Sequence, residues 1–213
     1  CKKVVFLDDV QFSRKSWQQR NKIFKETGFQ YLTVPVEKKG KYDQKVNEVM
    51  VKNINFFDDH LKIIKHTYSK SFFFNDIFNQ ITEIRDSITN EKNLSKINII
   101  IINKFLEIIG KKINYTTSSE IDVAGKKSQK LINICLALKA KKLMSNEGAK
   151  IYLNQDINLF KENKIDLSFY KYNPIKYNQL GKQFTPYLSI IDLLFNEGPK
   201  SSQIIDDGLE LLD

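Results

Sequence analysis

The sequence predicts an α/β fold, a mainly parallel sheet with helices on both faces, and three observations support it. Short apolar runs typical of strands alternate with longer segments whose apolar residues recur at helical spacing. Between residues 113 and 145, a strand, a helix and a second strand have the spacing of a βαβ crossover. The chain has 213 residues, 41% of them hydrophobic, which is enough to bury one core, so we expect a single domain over residues 1–213.

The predicted strands are short runs of apolar or alternating residues, a pattern typical of chain that is buried on at least one face. In chain order they cover residues 4–7, 31–36, 113–117, 142–145 and 165–169. We expect the first two of these strands to lie in the same sheet.

Each predicted helix carries a stripe of apolar residues three or four positions apart, with polar side chains between them. In chain order the helices cover residues 58–69, 77–88, 94–108, 127–139 and 188–195. Asp58 and Asp59 suit the start of the first helix, and Gly110 suits a C-cap after the third. We interpret residues 74–110 as a helical insertion and not as a separate domain.

The most informative stretch of the chain is residues 6–23, FLDDVQFSRKSWQQRNKI. It holds two of the three arginines, Arg14 and Arg20, and the only tryptophan, Trp17, in a chain whose other cations are lysines. An arginine retained in such a chain suggests a need for the planar guanidinium, which binds phosphate or carboxylate bidentately and stacks on aromatic rings.

Asp8 and Asp9 end the predicted strand that precedes this loop. Carboxylates at the C-terminal end of a strand, followed by a polar and cationic loop, are typical of an α/β binding crevice. We expect Asp9 and Arg20 to form a buried pair that positions a phosphate or carboxylate group. The alternative is a surface turn in which the arginines only pair with the two carboxylates.

Polar residues at the ends of predicted elements form four groups, which we expect to line one cleft. The groups are Asp8, Asp9, Gln11, Arg14, Lys15, Arg20 and Asn21; His60; Ser118 and Ser119; and Tyr177, Gln179 and Asp192. We assign acid or base catalysis to Asp8, Asp9 and His60, and substrate binding to the others. The last three groups also have simpler alternatives: a solvent-facing or helix-capping histidine, serines that satisfy local backbone donors, and a packed surface loop.

Several kinds of function are disfavoured. The net charge of +9 comes from lysines interspersed with acidic residues, without the basic stripe or recognition module of a nucleic-acid-binding protein. No apolar run approaches the roughly 18 residues of a membrane span. His60 and His66 do not share a helix face, so we predict no metal site, and the two cysteines form no metal or redox motif. The sequence assigns no cofactor and suggests a cytoplasmic protein.

Segments along nearly the whole chain resemble one protein family. Besides residues 6–23, they are YLTVPV at 31–36, DDHLKIIKHTYSKSFFF at 58–74, SSEIDVAGKKSQKLINICLALKA at 118–140, GAKIYL at 148–153 and YNQLGKQFTPYLSIIDLLFNEG at 177–198. They resemble the WbqC-like family of bacterial proteins, which are usually encoded among genes for O-antigen and other surface polysaccharides. Members of that family open with a strand and a loop of the type Gln-Pro-x-Tyr-x-Pro-x-x-Gly-Tyr-Phe, which nothing here matches. Since the chain starts at Cys1, we expect that piece to precede it.

The resemblance implies a role in O-antigen or lipopolysaccharide synthesis, and the residues suggest the chemistry. We expect a transferase that adds an acyl or aminoacyl group to an amino sugar, with a nucleotide-sugar or another phosphorylated small molecule as its partner. Arg14, Lys15 and Arg20 would bind the phosphates, and one of the catalytic candidates would deprotonate the sugar. The alternatives are a non-catalytic scaffold of a polysaccharide enzyme and a glycosyltransferase. No Asp-x-Asp motif supports the glycosyltransferase, because Asp8 and Asp9 are adjacent.

Overall fold

The computed structural model describes residues 2–37, 40–41 and 43–212, and it divides into two compact units. Unit 1 consists of Cys1–Leu7, Asn114–Asn173 and Ile205–Asp213, and unit 2 consists of Asp8–Ile113 and Pro174–Ile204. Each unit contains its own cluster of buried hydrophobic side chains.

The helices and strands are short, as the sequence predicts. In the described residues the strands are β1 (Val4–Phe6), β2 (Arg20–Lys25), β3 (Gly28–Thr33), β4 (Tyr115–Thr117), β5 (Lys142–Asn146), β6 (Asp166–Tyr172) and β7 (Leu209–Leu212). The α-helices are α1 (Phe56–Tyr68), α2 (Phe74–Ile88), α3 (Leu94–Ile108), α4 (Ser118–Ile121), α5 (Lys127–Ala137), α6 (Lys150–Gln155), α7 (Ile157–Glu162), α8 (Ile190–Glu197) and α9 (Ser201–Asp207). Within this described part of the chain, no helix combines the length and the apolar character needed to cross a bilayer.

The strands form small sheets with both parallel and antiparallel pairs. β1 is parallel to β4, β5 is parallel to β6, and β7 is antiparallel to β6. β2 and β3 form an antiparallel hairpin, with Arg20 opposite Thr33 and Lys25 opposite Gly28. The α/β class is therefore confirmed, but the mainly parallel sheet is not, because the described strands lie in three small sheets.

Two expectations about strand pairing are wrong. Residues 4–7 and 31–36 do not share a sheet, because β1 pairs with β4 and β3 pairs with β2. Strands β4 and β5, on either side of α5 in the sequence, also lie in different sheets, so the expected crossover between residues 113 and 145 is not formed. A parallel connection runs instead from β5 through α6 and α7 to β6. Hydrophobic periodicity predicts the type of an element, whereas its partner is set by packing between residues far apart in the chain.

The β2–β3 hairpin positions most of the residues discussed below. Glu26 and Thr27 form its two-residue turn, and Gly28 follows with a φ of 125°, in the region that favours glycine. Ile23 and Leu32 are buried and face the core, so the alternate side chains of both strands face the other side of the hairpin.

The predicted helices of unit 2 are confirmed, and their apolar stripes form its core together with the hairpin and α8. Buried core positions on α2 and α3 include Ile77, Ile81, Ile84, Ile88, Leu94 and Ile97. The Asn93 side chain caps α3 by accepting a hydrogen bond from the third residue of that helix, and Gly110 follows its end with a φ of 71°. Burying one isoleucine or leucine side chain stabilises the fold by about 1.5–3 kcal/mol, so these stripes dominate the stability of the unit.

The core of unit 1 is smaller and lies between its helices and the β5–β6–β7 sheet. It includes Ile132, Cys135, Leu153, Phe160 and Phe169. Cys135 packs in this core as a small hydrophobic side chain, and its burial raises the pKa of the thiol. Cys1 lies outside the described residues.

Candidate functional site

The loop after Asp8 is held by backbone hydrogen bonds to residues 44–47. Asn47 N donates to Asp8 O over 2.7 Å, and Phe12 N donates to Gln44 O over 2.8 Å. The Asp8 side chain is buried and that of Asp9 is half-buried. The sequence candidates in this loop therefore occupy an ordered segment of unit 2.

The exposed candidates of this loop contact the segment that follows β3. Gln11 Nε2 lies 3.4 Å from Asp43 Oδ1, and Arg14 Nη2 donates to Lys41 O over 2.7 Å. The Arg14 guanidinium is thus engaged, at least in part, by a backbone carbonyl of its own chain. These contacts shape the loop, and neither one resembles a bidentate pair with a carboxylate.

Gln19 is a buried polar residue that the sequence did not single out. Its Oε1 accepts a 3.1 Å hydrogen bond from Lys15 N, and its Nε2 donates to Val34 O over 2.8 Å. Lys15 needs this support, because its φ of 57° is uncommon for a residue with a side chain. Gln19 therefore ties the cationic loop to the chain after β3, directly before Arg20. The sequence gives no indication that this glutamine, one of several polar residues in the loop, is buried.

The outward side of the β2–β3 hairpin joins cations to aromatic rings, and we call Trp17, Arg20, Lys22, Phe29 and Tyr31 the hairpin face. Arg20 Cζ lies 3.9 Å from the centre of the Tyr31 ring. Lys22 Nζ lies 4.2 Å from the centre of the Phe29 ring and 5.5 Å from that of Trp17. The Phe29 and Tyr31 rings meet edge to face, with their centres 5.5 Å apart.

The hairpin face changes the interpretation of Arg20. This residue is half-exposed, and its guanidinium contacts Tyr31 instead of forming the buried ion pair with Asp9 that the sequence suggested. Asn21, the next residue, points the other way along the strand and is exposed; its Oδ1 accepts a hydrogen bond from Lys22 N over 2.8 Å. The sequence missed Lys22 and Tyr31 as members of the site because it did not predict β2.

His60 lies on α1 beside the hairpin. Its Nε2 is 3.1 Å from Thr33 O, and Thr33 is the residue opposite Arg20 in the β2–β3 ladder. A carbonyl oxygen can only accept, so Nε2 carries the proton of the neutral ring and Nδ1 carries the lone pair. Burial lowers the pKa of His60, although the hydrogen bond to Thr33 and the charge of Asp59 act in the opposite direction. At neutral pH His60 is therefore an uncharged imidazole with a basic Nδ1.

Asp192, on the first turn of α8, is fully buried in a closed network of hydrogen bonds. Its Oδ1 accepts from the Tyr68 hydroxyl over 2.8 Å, and its Oδ2 accepts from the Tyr177 hydroxyl over 2.7 Å and from Gln179 Nε2 over 3.0 Å. Burial raises the pKa of Asp192, while the three donors lower it. The structure thus brings together Tyr177, Gln179 and Asp192, as the sequence grouping anticipated, and adds Tyr68.

The same network fixes the loop before α8. Gln179 Oε1 accepts from Thr185 N over 2.7 Å, and Gln179 Nε2 lies 3.1 Å from Thr185 O. Tyr68 accepts a 3.0 Å hydrogen bond from Phe24 N and stacks on Phe195, so the network also reaches β2. Asp192 therefore acts within unit 2 as the anchor of this loop.

Ser118 and Ser119 lie in unit 1, at the start of α4. Ser118 is fully buried, and the Ser119 hydroxyl lies 3.0 Å from that of Thr117. Thr117 caps the helix by accepting from Glu120 N, and the Glu120 carboxylate accepts from Thr117 N. That backbone hydrogen bond is the main reason why the pKa of Glu120 is lowered. The polar atoms around the two serines thus form a capping box, which favours the simpler interpretation of this group.

In the described ranges 2–37, 40–41 and 43–212, no group of three or more His, Cys, Asp or Glu side chains is arranged to hold a metal ion. The described residues of unit 2 place a neutral imidazole beside the hairpin that carries these cations and aromatic rings.

Comparison with known proteins gives a family and one relative. A sequence profile described as the WbqC-like protein family matches residues 1–204. The chain is similar to a Mycobacterium tuberculosis protein named "Uncharacterized protein Rv1507c", with 29% identity over 198 residues, covering 92% of this chain and 84% of the relative. No solved structure matches the chain. Because the profile covers nearly the whole sequence, the chain belongs to the WbqC-like protein family.

Proposed function

We propose that this protein is a transferase that adds an acyl or aminoacyl group to an amino sugar carried on a nucleotide, during synthesis of O-antigen or another surface polysaccharide. The observation that carries the proposal is the state of His60, whose Nε2 proton is donated to Thr33 O and whose lowered pKa leaves Nδ1 unprotonated at pH 7, so that it can accept a proton. Membership of the WbqC-like family supports the pathway, and the cations of the hairpin face support a phosphorylated substrate.

The chemical step requires a base of this kind. The sugar amine attacks the carbonyl carbon of a thioester or ester donor, so a C–N bond forms and a C–S or C–O bond breaks. The proton that leaves the nitrogen passes to His60 Nδ1 and then to the departing thiol or alcohol. A protonated imidazole could not accept it, which is why the lowered pKa of His60 matters.

The substrate class follows from the neighbours of His60. Thr33 places the imidazole at the end of the hairpin that also carries Arg20. A guanidinium that lies over a ring keeps the N–H groups on its rim available to phosphate oxygens. A nucleotide-linked sugar has both the anionic phosphates for Arg20 and a proton-bearing group for the base.

The test uses the protein with UDP-linked and dTDP-linked amino sugars, and acetyl-coenzyme A or aminoacyl-tRNA as the acyl donor. Mass spectrometry should show one nucleotide-sugar gaining the mass of the acyl group. His60→Gln keeps an amide donor near the position of Nε2 but has no base, so we expect the rate to fall by about a hundredfold or more. The matched control is His66→Gln on the same helix, which we expect to be unaffected.

Three outcomes would contradict the proposal. Release of free nucleoside diphosphate without acylation indicates a glycosyltransferase. A rate that His60→Gln leaves unchanged removes the assigned base. Silence with every pair of substrates, together with no change in melting temperature on adding any nucleotide-sugar, indicates the non-catalytic scaffold.

A further inference from the structure

Arg20 and Lys22, the two cations of the hairpin face, differ from those cations of the described surface that form ion pairs. Ion pairs with Asp or Glu are formed by Lys41, Lys62, Arg85, Lys104 and Lys171. Arg20 and Lys22 instead lie over the rings of Tyr31 and Phe29, and within the described part of the chain neither forms an ion pair with a carboxylate. Their positive charge is therefore not neutralised by the protein.

Three aromatic rings of this face are exposed to solvent. Trp17 has 65% of its surface exposed, Phe29 has 42% and Tyr31 has 37%. Contiguous exposed rings are unfavourable in water unless they bind something, so they mark a recognition surface. These rings also lie against cations: Lys22 is close to Trp17 and Phe29, and Arg20 lies over Tyr31.

We propose that the hairpin face binds a nucleoside diphosphate, with the base stacked on Trp17 and the two phosphates bound by Lys22 and Arg20. Bases stack on exposed aromatic side chains because every base has a π-face, and phosphates bind arginine bidentately and lysine as a point charge. A neutral sugar would use the rings but not the cations. An acidic glycan would use both, but it packs only CH groups on a ring, whereas a base stacks a flat aromatic face on it.

The geometry also gives the ligand a direction. Phe29 is nearest the hairpin turn, Lys22 and Tyr31 are opposite each other in the middle, and Arg20 is at the far end opposite Thr33. A ligand with its base near Trp17 and its phosphates along Lys22 and Arg20 places its sugar at the end of the hairpin where Thr33 O bonds to His60. This inference rests on the proposed function in one respect, that the diphosphate is the carrier of the sugar that is modified.

The single tryptophan makes the site directly measurable, because all indole fluorescence comes from Trp17. The experiment titrates the protein with UDP, dTDP, GDP, CDP and ADP, and follows fluorescence after correction for absorbance. We expect saturable quenching by at least one of them. Inorganic pyrophosphate should compete with that ligand while quenching little by itself, because it has phosphates and no base.

Single substitutions separate the contribution of base stacking on Trp17 from that of the charge on Lys22. Lys22→Gln should weaken binding about tenfold, the cost of losing one contact to a charged phosphate. Lys25→Gln removes the same charge from an exposed position of the same strand and should change binding less than about twofold, as screening predicts for a charge outside the site. Trp17→Ala should abolish binding measured by calorimetry, and Trp17→Phe should retain most of it. If Lys22→Gln does not fold, the salt dependence of wild-type binding replaces it, and affinity must fall steeply with added NaCl.

The inference is overturned if none of the five nucleotides quenches saturably, if Lys22→Gln and Lys25→Gln behave alike, or if affinity does not change with salt. It is also overturned if an acidic oligosaccharide quenches and the nucleotides do not. Acyl transfer that survives Trp17→Ala and Lys22→Gln rejects this site and leaves the proposed function standing. Tight nucleotide binding without any acyl transfer rejects the proposed function and leaves the site standing.

Discussion

The Tyr68 hydroxyl donates a 2.8 Å hydrogen bond to Asp192 Oδ1 and so joins two buried residues that are 124 positions apart in the chain. The same oxygen accepts from Phe24 N over 3.0 Å. One hydroxyl thus satisfies a backbone donor of β2 and a buried carboxylate of α8, and removing it leaves both without that partner.

Tyr68→Phe should therefore destabilise unit 2 without changing its packing. The ring keeps its stack on Phe195, whose centre is 4.7 Å away, so the loss is that of the hydroxyl alone. We expect the free energy of unfolding to fall by about 2–3 kcal/mol, since a buried N–H and a buried carboxylate each lose a partner. Urea denaturation measures this change in the free energy of unfolding.

The matched control is Tyr177→Phe, which removes a hydroxyl from the same carboxylate at a half-buried position and should cost only about 1 kcal/mol. Equal losses in the two variants would show that Tyr68 has no special place in the network.

Asp192 should make stability fall as the pH rises. Its pKa in the folded protein is raised above the ordinary 3.8, so the folded state holds the proton more tightly than the unfolded state does. The stability that it contributes is fully present below pH 3.8 and is lost as the pH rises through the folded pKa. Asp192→Asn does not titrate. The free energy of unfolding of wild type minus that of the variant should therefore decrease as the pH rises above about 3.8, the ordinary pKa of an aspartate. A difference that is constant with pH contradicts the assignment.

His60 should give a slope of the opposite sign. Its pKa in the folded protein is lowered below the ordinary 6.5, so the unfolded state takes up the proton first as the pH falls. The stability that His60 contributes is present above pH 6.5 and is lost as the pH falls through the folded pKa. The stability difference between wild type and His60→Gln should thus increase as the pH rises toward 6.5, whereas that for Asp192→Asn decreases as the pH rises above 3.8. The same slope in both comparisons would mean that one of the two environments is wrongly assigned.

Sequence periodicity predicted helices well because helix packing is repeated along the chain. Ile77, Ile81, Ile84 and Ile88 recur at helical spacing, and all four are buried on α2. The spacing alone identifies the buried face of α2, since residues three or four positions apart lie on the same side of a helix. Prediction succeeded here because the information was local.

The hairpin was missed for a physical reason that also concerns the site. The residues of β2, RNKIFK, read as a polar segment because their outward positions hold Arg20 and Lys22. Those cations are accommodated on a strand by lying over the rings of Tyr31 and Phe29, which come from the next strand. A pattern read along one segment cannot show such a cross-strand contact.

The polar network illustrates the same limit. Tyr177, Gln179 and Asp192 could be grouped from the sequence, because they lie close together in the chain and flank the start of a helix. Tyr68 lies within the predicted helix 58–69, and nothing local in the sequence indicates that its hydroxyl reaches Asp192. Long-range polar pairing has to be taken from the structure.

Gly198→Ala should be far more destabilising than a similar change at Gly110. An alanine Cβ at position 198 would lie 2.5 Å from Cδ1 of the Phe73 ring, and the φ of 51° with ψ of −121° is one that other residues rarely adopt. Backbone strain and overpacking together should cost about 3 kcal/mol. Gly110 has a φ of 71° but nothing within 4 Å of the added Cβ, so Gly110→Ala carries the backbone strain alone. We expect that variant to lose only about 1–2 kcal/mol in thermal or urea unfolding. Similar losses would show that the contact with Phe73 relaxes at no cost.

Arg20→Lys tests whether the guanidinium serves binding or folding. Arg20 is half-exposed and its contact is the Tyr31 ring at 3.9 Å, so a lysine should keep the fold with a loss of only about 0.5–1 kcal/mol. A lysine cannot reproduce the planar bidentate contact with phosphate, and we expect affinity for the best nucleoside diphosphate to fall by roughly 1.5–3 kcal/mol. Trp17 fluorescence measures the binding and melting curves measure the stability of the fold, each on the same protein preparation.

The reverse result, a large loss of stability with affinity retained in the folded fraction, would make Arg20 a structural residue of the hairpin. Because Tyr31 is its partner, Tyr31→Phe is the matched control: it keeps a ring under the guanidinium and should leave both measurements close to those of wild type.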